Sequence, residues 1–462
     1  MNRREFLFSA GAATVLSGCR SFELFGAPDL RFGVVSDIHV TTPKSTQMFE
    51  RALRYFKRRG VDAVMVPGDL TDWGVRSGFR YVKETWDRVF AGTDVVPLFC
   101  TGNHDYEGWF YSDMTMEMHA NGYSEDDAIV KHDMKACWEA AFGEPFDIVR
   151  CRTVKGYDFV SCECYHNSSS WLKRNAARFA GGKPFFYFQH LPLGGTTSDS
   201  PRRVDANSGA LAAFPNCVAF TGHTHRPFID ERLVWQGAYT VVSTPSLSYA
   251  CTPGGYDNGE GSREGDSRQT MAMLPMRCDL RGGQGFVVSV WNDRLAIERV
   301  DLEEEDSDAP EWIVPVPTAG ESGPLGFARR ERTEPVPQFA SGAELDLETR
   351  NAGTRVGKWA IVLNCEFPSA EMPSGHRVFD YEIRAVPEDG SAPLVKRFLS
   401  PAYAKMVKFE PARQRFWIDV AELPQDVNYV IEVRARNCFG AASAPLVSAV
   451  MRGKPGLDAV RR

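Results

Sequence analysis

Nine histidines are spread over 462 residues, and five of them fall in short polar clusters that each follow an apolar run. The clusters are Asp37-Ile38-His39, Gly68-Asp69-Leu70-Thr71-Asp72, Gly102-Asn103-His104-Asp105, His190 in "FQHLP", and Gly222-His223-Thr224-His225. In the last of these, two imidazoles stand one residue apart where a buried strand ends, and alternate residues of an extended segment point the same way. Neutral imidazole is the commonest side-chain metal ligand. Carboxylate oxygens and imidazoles without thiolates suit borderline cations such as Zn, Mn and Fe. Asp37, His39, Asp69, Asn103, His190, His223 and His225 are more groups than one tetrahedral ion needs. Two metals sharing a bridging carboxylate is the economical arrangement. Such a pair, roughly 3.5–4 Å apart, can clamp a phosphate and deprotonate a water for in-line attack.

Taken singly, each residue has a plainer role. An Asp at a strand end is commonly a turn or cap residue, and Asp72 is read that way. A solitary His190 would be a satisfied core histidine. His119, His132, His166 and His376 lie outside every cluster and are assigned no role.

The elements that must position the clusters are legible from their apolar runs. "RFGVVSD", "VDAVMVPGD" and "DVVPLFCTGNHD" each read as a buried strand. Between them, Phe49, Ala52, Leu53 and Phe56 repeat at helical spacing before Gly60, and "YVKETWDRVF" continues the alternation. Further strands are expected at "PFFYFQH", "CVAFTGH", "YTVVSTPSLSY" and "GFVVSVWND", the later ones as antiparallel additions because no helices separate them. Alternating strands and helices imply α/β layers around a largely buried sheet, and sites in such sheets form outside the carboxyl ends of the strands. The five clusters stand at those ends. Residues 106–135 read as an inserted segment and 251–268 as a Gly-rich mobile loop. The acidic, proline-dotted stretch 303–337 reads as a linker.

D-x-H, G-D-x-x-D, G-N-H-D, H and G-H-x-H, in this order, resemble the pattern of calcineurin-like metallophosphoesterases over about residues 29–317. The resemblance implies a four-layer αββα sandwich holding two metal ions, Mn, Fe or Zn. It implies that Asp37, His39, Asp69 and His225 hold one metal, and that Asp69 bridges to a second completed by Asn103, His190 and His223. It further implies His104 as general acid, Asp105 as the carboxylate that orients it, and a metal-bridging hydroxide as nucleophile. The D-x-H and G-D-x-x-D forms are similar to the bacterial cyclic-nucleotide phosphodiesterase branch, which favours phosphodiesters over the alternative of a phosphomonoesterase or nucleotidase. Trp73, Tyr106, Trp109, Phe110 and Tyr111 would either stack on a substrate or, as favoured here, pack the insertion. Arg76 or Arg226 could reach a phosphate.

The chain ends carry other signals. "NRREFLF" resembles a twin-arginine export signal and "LSGC" a lipobox ending at Cys19, so residues 1–19 are expected to direct export and lipid anchoring in the cell envelope. Cleavage there moves the net charge from −7 to −8, and neither value suits a general nucleic-acid binder. Of the ten later cysteines, Cys151 and Cys162 could pair across a hairpin, and the default for the set is mostly buried free thiols. Residues 318–333 are expected to link the metal domain to an all-β module over 334–453 that resembles fibronectin type III domains. Leu423 stands six residues before Tyr429, as in that family's tyrosine corner, and Phe416, Trp417 and Tyr381 supply aromatics. Such a module would serve as spacer or binder of a cell-surface polymer or protein. A surface binding protein with an inert metal domain is the competing reading.

Overall fold

The computed structural model describes residues 25–109, 133–198, 200–258, 278, 280–307, 309–353, 359–373 and 375–452. The chain divides into two compact units: one of residues up to Cys251 with Arg281–Arg330, the other of Thr252–Leu280 with the chain from Glu331 onward. The expected export signal and most of the 106–135 insertion, with Phe110 and Tyr111, lie outside the described residues, as does the core of the Gly-rich loop.

The first unit is built on two six-stranded sheets. In one, β1 (Leu30–Val34), β2 (Ala63–Pro67) and β3 (Val96–Cys100) run parallel. The second sheet contains β4 (Val149–Val154), β5 (Tyr157–Cys162), β6 (Phe185–Phe188), β7 (Cys217–Thr221), β8 (Val234–Gln236) and β9 (Thr240–Ser243). Strands β5, β6, β7 and β9 are parallel, while β4 and β8 close the edges antiparallel. The first sheet is completed by β10 (Gln284–Trp291), β11 (Arg294–Asp301) and β12 (Trp312–Pro315), all antiparallel, in the order β12-β11-β10-β1-β2-β3. Strand β9 therefore departs from the expected antiparallel additions, because the long connection through residues 222–239 brings it back beside β7 in the same direction.

Strand β2 shows why the layers form. Ala63 and Met65 join a core cluster shared by the two sheets, and Val64 and Val66 join another on the outer face. Both faces of the strand are buried, which selects an unbroken apolar run. Between the sheets, Phe32 of β1 meets Phe159, Phe186 and Phe220 of the second sheet edge-on, at 5.3, 4.9 and 5.8 Å between ring centroids. Each fully buried ring of this kind contributes about 1.5–3 kcal/mol. Outside the first sheet lie α1 (Gln47–Arg58), α2 (Arg76–Phe90) and α3 (Met134–Phe142), with Phe49, Leu53, Phe79 and Trp138 buried on it. Outside the second lie α4 (Ser169–Arg174) and α5 (Ala206–Leu211), burying Leu172 and Leu211. The result is a four-layer α/β sandwich.

Two sequence expectations need correction. Residues 310–317 are not linker: Trp312, Val314 and Val316 alternate into the core and make β12, and beyond it Arg330 is buried with its guanidinium 2.6 Å from Glu231. Cys151 and Cys162 are free thiols. In the β4–β5 register Cys151 faces Val160 and Cys162 faces Val149, so the two are diagonal neighbours, at a spacing of about 7–8 Å that a disulfide does not span.

The second unit is all-β apart from short turns and α-helical segments. Strands β13 (Asp346–Gly353), β14 (Trp359–Pro368) and β17 (Arg413–Asp419) make one sheet. The other holds β15 (Asp380–Pro387), β16 (Leu394–Leu399), β18 (Asn428–Arg436), β19 (Leu446–Val447) and β20 (Met451–Arg452). Leu363, Tyr381, Ile383, Phe416, Leu423, Tyr429 and Ile431 fill the core between them. Among the described residues no hydrogen bond holds the Tyr429 hydroxyl. The unit also takes residues from before β10 that the sequence placed in the metal domain. Asp257 exchanges backbone and side-chain hydrogen bonds of 2.7 Å with Arg397, and the Asn258 amide pairs with the backbone of Leu399 at 2.8 and 2.9 Å. These bonds occupy the edge of β16.

Candidate metal centre

Five loops, one from the carboxyl end of each of β1, β2, β3, β6 and β7, converge at one edge of the two sheets. Asp37 and His39 follow β1, and Asp69 follows β2. Backbone bonds Asp37 N–H to Gly68 O (3.2 Å) and His39 N–H to Asp69 O (3.1 Å) lace these two loops together. Asn103 and His104 follow β3, and the His104 amide donates to Asp69 Oδ1 at 2.9 Å. His190 follows β6. The loop after β7 carries His223, whose amide donates to both oxygens of Asp37 at 3.1 and 3.2 Å, and then His225.

The backbone here is unusual. Asp37, His39, Asp69, His223 and His225 all have φ between 50° and 74°. Ten non-glycine residues among those described have positive φ, and these five are half of them. The left-handed region costs a non-glycine residue free energy, and residues held there cluster at functional sites. The motif glycines make room for the side chains. A Cβ on Gly222 would lie 2.1 Å from Ser36 Oγ and 2.9 Å from Asp37 Oδ2, and one on Gly102 would lie 2.0 Å from Asp69 Oδ1.

The donor atoms of Asp37, His39, Asp69 and His225 lie within 4.8 Å of one another, and all four residues are buried. His225 Nε2 is 3.0 Å from Asp37 Oδ1, and His39 Nε2 is 3.7 Å from Asp69 Oδ2. On the other side of Asp69, His190 Nε2 lies 3.1 Å from Oδ2 and 3.0 Å from Asn103 Oδ1, which is in turn 2.9 Å from His223 Nδ1. Asp69 thus stands between two groups: Asp37, His39 and His225, then Asn103, His190 and His223.

The donor set fits cations. His225 Nδ1 faces the Tyr249 carbonyl at 2.8 Å, His190 Nδ1 the Pro67 carbonyl at 3.0 Å, and His39 Nδ1 the Asp72 carboxylate at 2.5 Å. Each of those nitrogens must carry hydrogen, which turns the Nε2 lone pair of every neutral ring inward. The Nε2 atoms of His39 and His225 then face each other at 3.4 Å. Lone pairs so placed among two buried carboxylates require positive charge between them. The acid–base balance agrees. Burial opposes charge on Asp37, yet the His225, His190 and His39 imidazoles hold its carboxyl far below the usual range. Burial works against protonated His190, and the Asp69 and Asp37 charges nonetheless raise it to about 9. The cluster attracts protons, and a metal would displace them.

Asp105 does not orient His104 as the family pattern implies. Its buried carboxylate accepts from the amides of Leu70 (3.1 Å), Thr71 (2.8 Å) and Gly102 (2.9 Å) and from the Thr71 hydroxyl (2.9 Å). It fastens the β2 and β3 loops to each other. Burial, with the Asp69 charge, pushes it up to about 7 against those bonds. The carboxylate beside His104 is Asp72, with Oδ1 3.8 Å from His104 Nδ1, and the His104 ring meets the His39 ring edge-on at 4.7 Å. Asp72, read from sequence as a turn residue, therefore links a ligand candidate to the acid candidate. Its D-x-x-D spacing from Asp69 was the available signal. Tyr249 was not found from sequence, because its contribution to His225 is a backbone carbonyl. Arg226 is buried, whereas Arg76 is exposed at the start of α2.

The family model for calcineurin-like phosphoesterases matches residues 30–227. No curated protein matches the sequence. Similar solved structures include a predicted phosphoesterase from Streptococcus pneumoniae (12% identity, TM-score 0.28, 62% of this chain and 97% of that one). A purple acid phosphatase from yellow lupin seeds shares 11% identity over 62% of this chain and 55% of its own, with TM-score 0.34. An archaeal phosphodiesterase shares 12% identity over 62% of this chain and 99% of its own, with TM-score 0.23. Residues 30–227 are a calcineurin-like phosphoesterase domain, with a buried Asp/His cluster suited to metal.

Proposed function

We propose that this chain is an exported, lipid-anchored phosphoesterase that uses two metal ions and prefers phosphodiesters. The observation that carries the reading is the inward convergence of imidazole lone pairs and two buried carboxylates about Asp69. Asp37, His39, Asp69 and His225 would hold one cation, and Asp69, Asn103, His190 and His223 the other. When bound, the cations would draw charge from the phosphoryl oxygens and acidify a water.

The chain's own backbone and side-chain groups do the rest. Tyr249, Pro67 and Asp72 fix the tautomers of His225, His190 and His39, so the ligand atoms are set before substrate arrives. The Asp69 bond to the His104 amide places that residue beside the metal face. With His104 Nδ1 turned to Asp72, Nε2 is the ring nitrogen that would deliver a proton to the leaving oxygen. A diester preference finds support in a cavity of about 550 Å³ that is lined by His190 and His223 but not by His104. It leaves space for an organic group away from the acid.

Export and anchoring rest on Arg3, Arg4 and Cys19. No described helix is long and apolar enough to cross a membrane. The fibronectin type III reading of the second unit is supported by its two facing sheets and by buried Leu423 and Tyr429. Its partner would be a cell-surface polymer or protein.

The test is hydrolysis of an aryl phosphodiester and an aryl phosphomonoester by Mn- or Zn-loaded protein. Metal-dependent turnover that falls at least about 10³-fold in Asp69→Asn, and is also lost in His104→Ala, is expected. Faster monoester turnover would replace the diesterase by a phosphomonoesterase. Metal-loaded protein without turnover of either would favour a binding protein. Loss of membrane fractionation in Cys19→Ala tests the anchor.

A further inference from the structure

The cavity beside His190 and His223 reaches away from the ligand cluster to Cys164–Asn167, Leu191, Pro192, Pro201 and Asp205–Asn207. At about 550 Å³ it is of the size that takes a small organic ligand. Tyr165 stands at it with a left-handed backbone, φ 63°, and its ring 5.6 Å from that of Tyr106. Tyr165 is 61% exposed, so its ring is offered at the cavity and not spent in the core.

The charge of the wall is its informative feature. Among the described lining residues there is no lysine or arginine. The basic groups are three imidazoles, and two of them, His190 and His223, are turned to Asn103. The polar side chains are spent on one another. Gln189 Oε1 accepts from Tyr187 and Asn207 at 2.9 and 2.8 Å, and its amide donates to the Leu191 carbonyl at 2.7 Å. Asn207 Oδ1 accepts from the Ser168 amide and hydroxyl at 2.8 and 2.9 Å. Glu163 is paired with Arg150 at 2.6 Å. The exposed Asp205 carboxylate stands at the wall, where it caps α5 by accepting from the Ser208 amide and also accepts from the Gly194 amide, at 2.8 and 2.7 Å.

A phosphate ester carrying a second anion would bring that anion toward the Asp205 carboxylate, with no lysine or arginine among the described lining residues to meet it, and like charges brought together without pairing are disfavoured. An uncharged group would instead cover Cys164, Tyr165, Leu191 and the prolines. Resting on the phosphoesterase reading above, we infer that this cavity receives the uncharged aryl group, or an alkyl group of similar size, of a phosphate ester, and rejects esters whose organic part is itself anionic.

The experiment is calorimetric titration of the Mn-loaded full chain at pH 8, where an ordinary imidazole is neutral. The probes are methylphosphonate, phenylphosphonate and 4-carboxyphenylphosphonate. Phenylphosphonate is expected to bind at least tenfold tighter than either of the others. Ala206→Lys, at an exposed position of the wall, is expected to tighten 4-carboxyphenylphosphonate at least fivefold without tightening phenylphosphonate. Equal affinities for the two aryl probes, or no response to the lysine, overturn the cavity assignment. If metal-dependent hydrolysis is intact in either case, the phosphoesterase reading survives. Failure to bind any phosphonate, together with absent hydrolysis, overturns both.

Discussion

The strand-end loops of the first unit and the sandwich of the second solve opposite problems. In the sandwich, burial simply alternates: β18 shows an inward and outward residue in turn along its length, and every inward one joins a single core. Its non-glycine positive-φ residues among those described, Met406 and Asp426, stand singly in connections. In the first unit the strands are equally regular, but the residues just beyond them are not. Five candidate ligands adopt left-handed backbone within a few residues of β1, β2 and β7, each at a cost on the order of 1–3 kcal/mol. Lys155, Tyr165 and Glu305 share the conformation singly, and the five-fold clustering occurs where side chains must converge. The comparison teaches that backbone strain separates a working edge from a merely stable one.

The sharpest way to break that distinction is to refill the space the loops leave open. Gly222→Ala puts a methyl group 2.1 Å from Ser36 Oγ and 2.9 Å from Asp37 Oδ2. Something must move, and a displacement of about 1 Å at a reacting centre can cost about 10²-fold in rate. We expect kcat/KM to fall at least that far with bound metal reduced, read by hydrolysis and metal content. Retained activity would mean that the loop spacing is not what positions Asp37.

The opposite perturbation belongs in the sandwich. Ile431 is fully buried between the sheets of the second unit. Ile431→Ala should cost about 2–5 kcal/mol of stability through lost burial and a cavity. Denaturant unfolding would measure it, while kcat/KM below the transition should stay within about twofold. A parallel loss of activity would show that the site draws on the sandwich for its geometry.

Much of this division was legible from sequence because the two periodicities and the five clusters are local signals. Phe49, Leu53 and Phe56 marked α1, and each cluster followed a strand that formed. What was not legible depends on long-range neighbours. Asp72 looks like any turn aspartate until β1 brings His39 against it. Asp105 was matched to its sequence neighbour, although its carboxylate bonds mainly to a different strand end, 34 residues away at Thr71. The 303–337 stretch reads as linker by composition, yet Trp312, Val314 and Val316 find β11 and the core. Residues 257–258 read as part of a loop in the metal domain, yet they satisfy the edge of β16.

The two neighbouring aspartates sharpen the comparison inside the site. Asp72→Asn keeps the shape but removes the charge that holds the His39 tautomer, so metal affinity should fall about 10–100-fold with little change in melting. Asp105→Asn should do the reverse. Its amide nitrogen would be turned toward backbone donors of Leu70, Thr71 or Gly102, leaving buried groups unpaired at a cost of about 1–3 kcal/mol. Metal titration and thermal melting of the two variants should therefore separate; identical profiles would merge the two roles.

The smallest effect should come from a glycine whose backbone is left-handed but whose surroundings are open. Gly390 has φ 79° in the connection between β15 and β16, and a Cβ there would meet nothing within 4 Å. Gly390→Ala then pays only the conformational term, about 1–2 kcal/mol, which a denaturation curve would resolve. Hydrolysis should not change. Set against Gly222→Ala, it separates two reasons for glycine that a sequence writes with the same letter. One is a turn that an L-residue enters at modest cost, and the other is room for a ligand that no rearrangement of the turn can restore. If Gly390→Ala instead impaired catalysis, regular and strained regions would not be energetically separate, and the left-handed ligands would lose their claim to be a local device of the metal site.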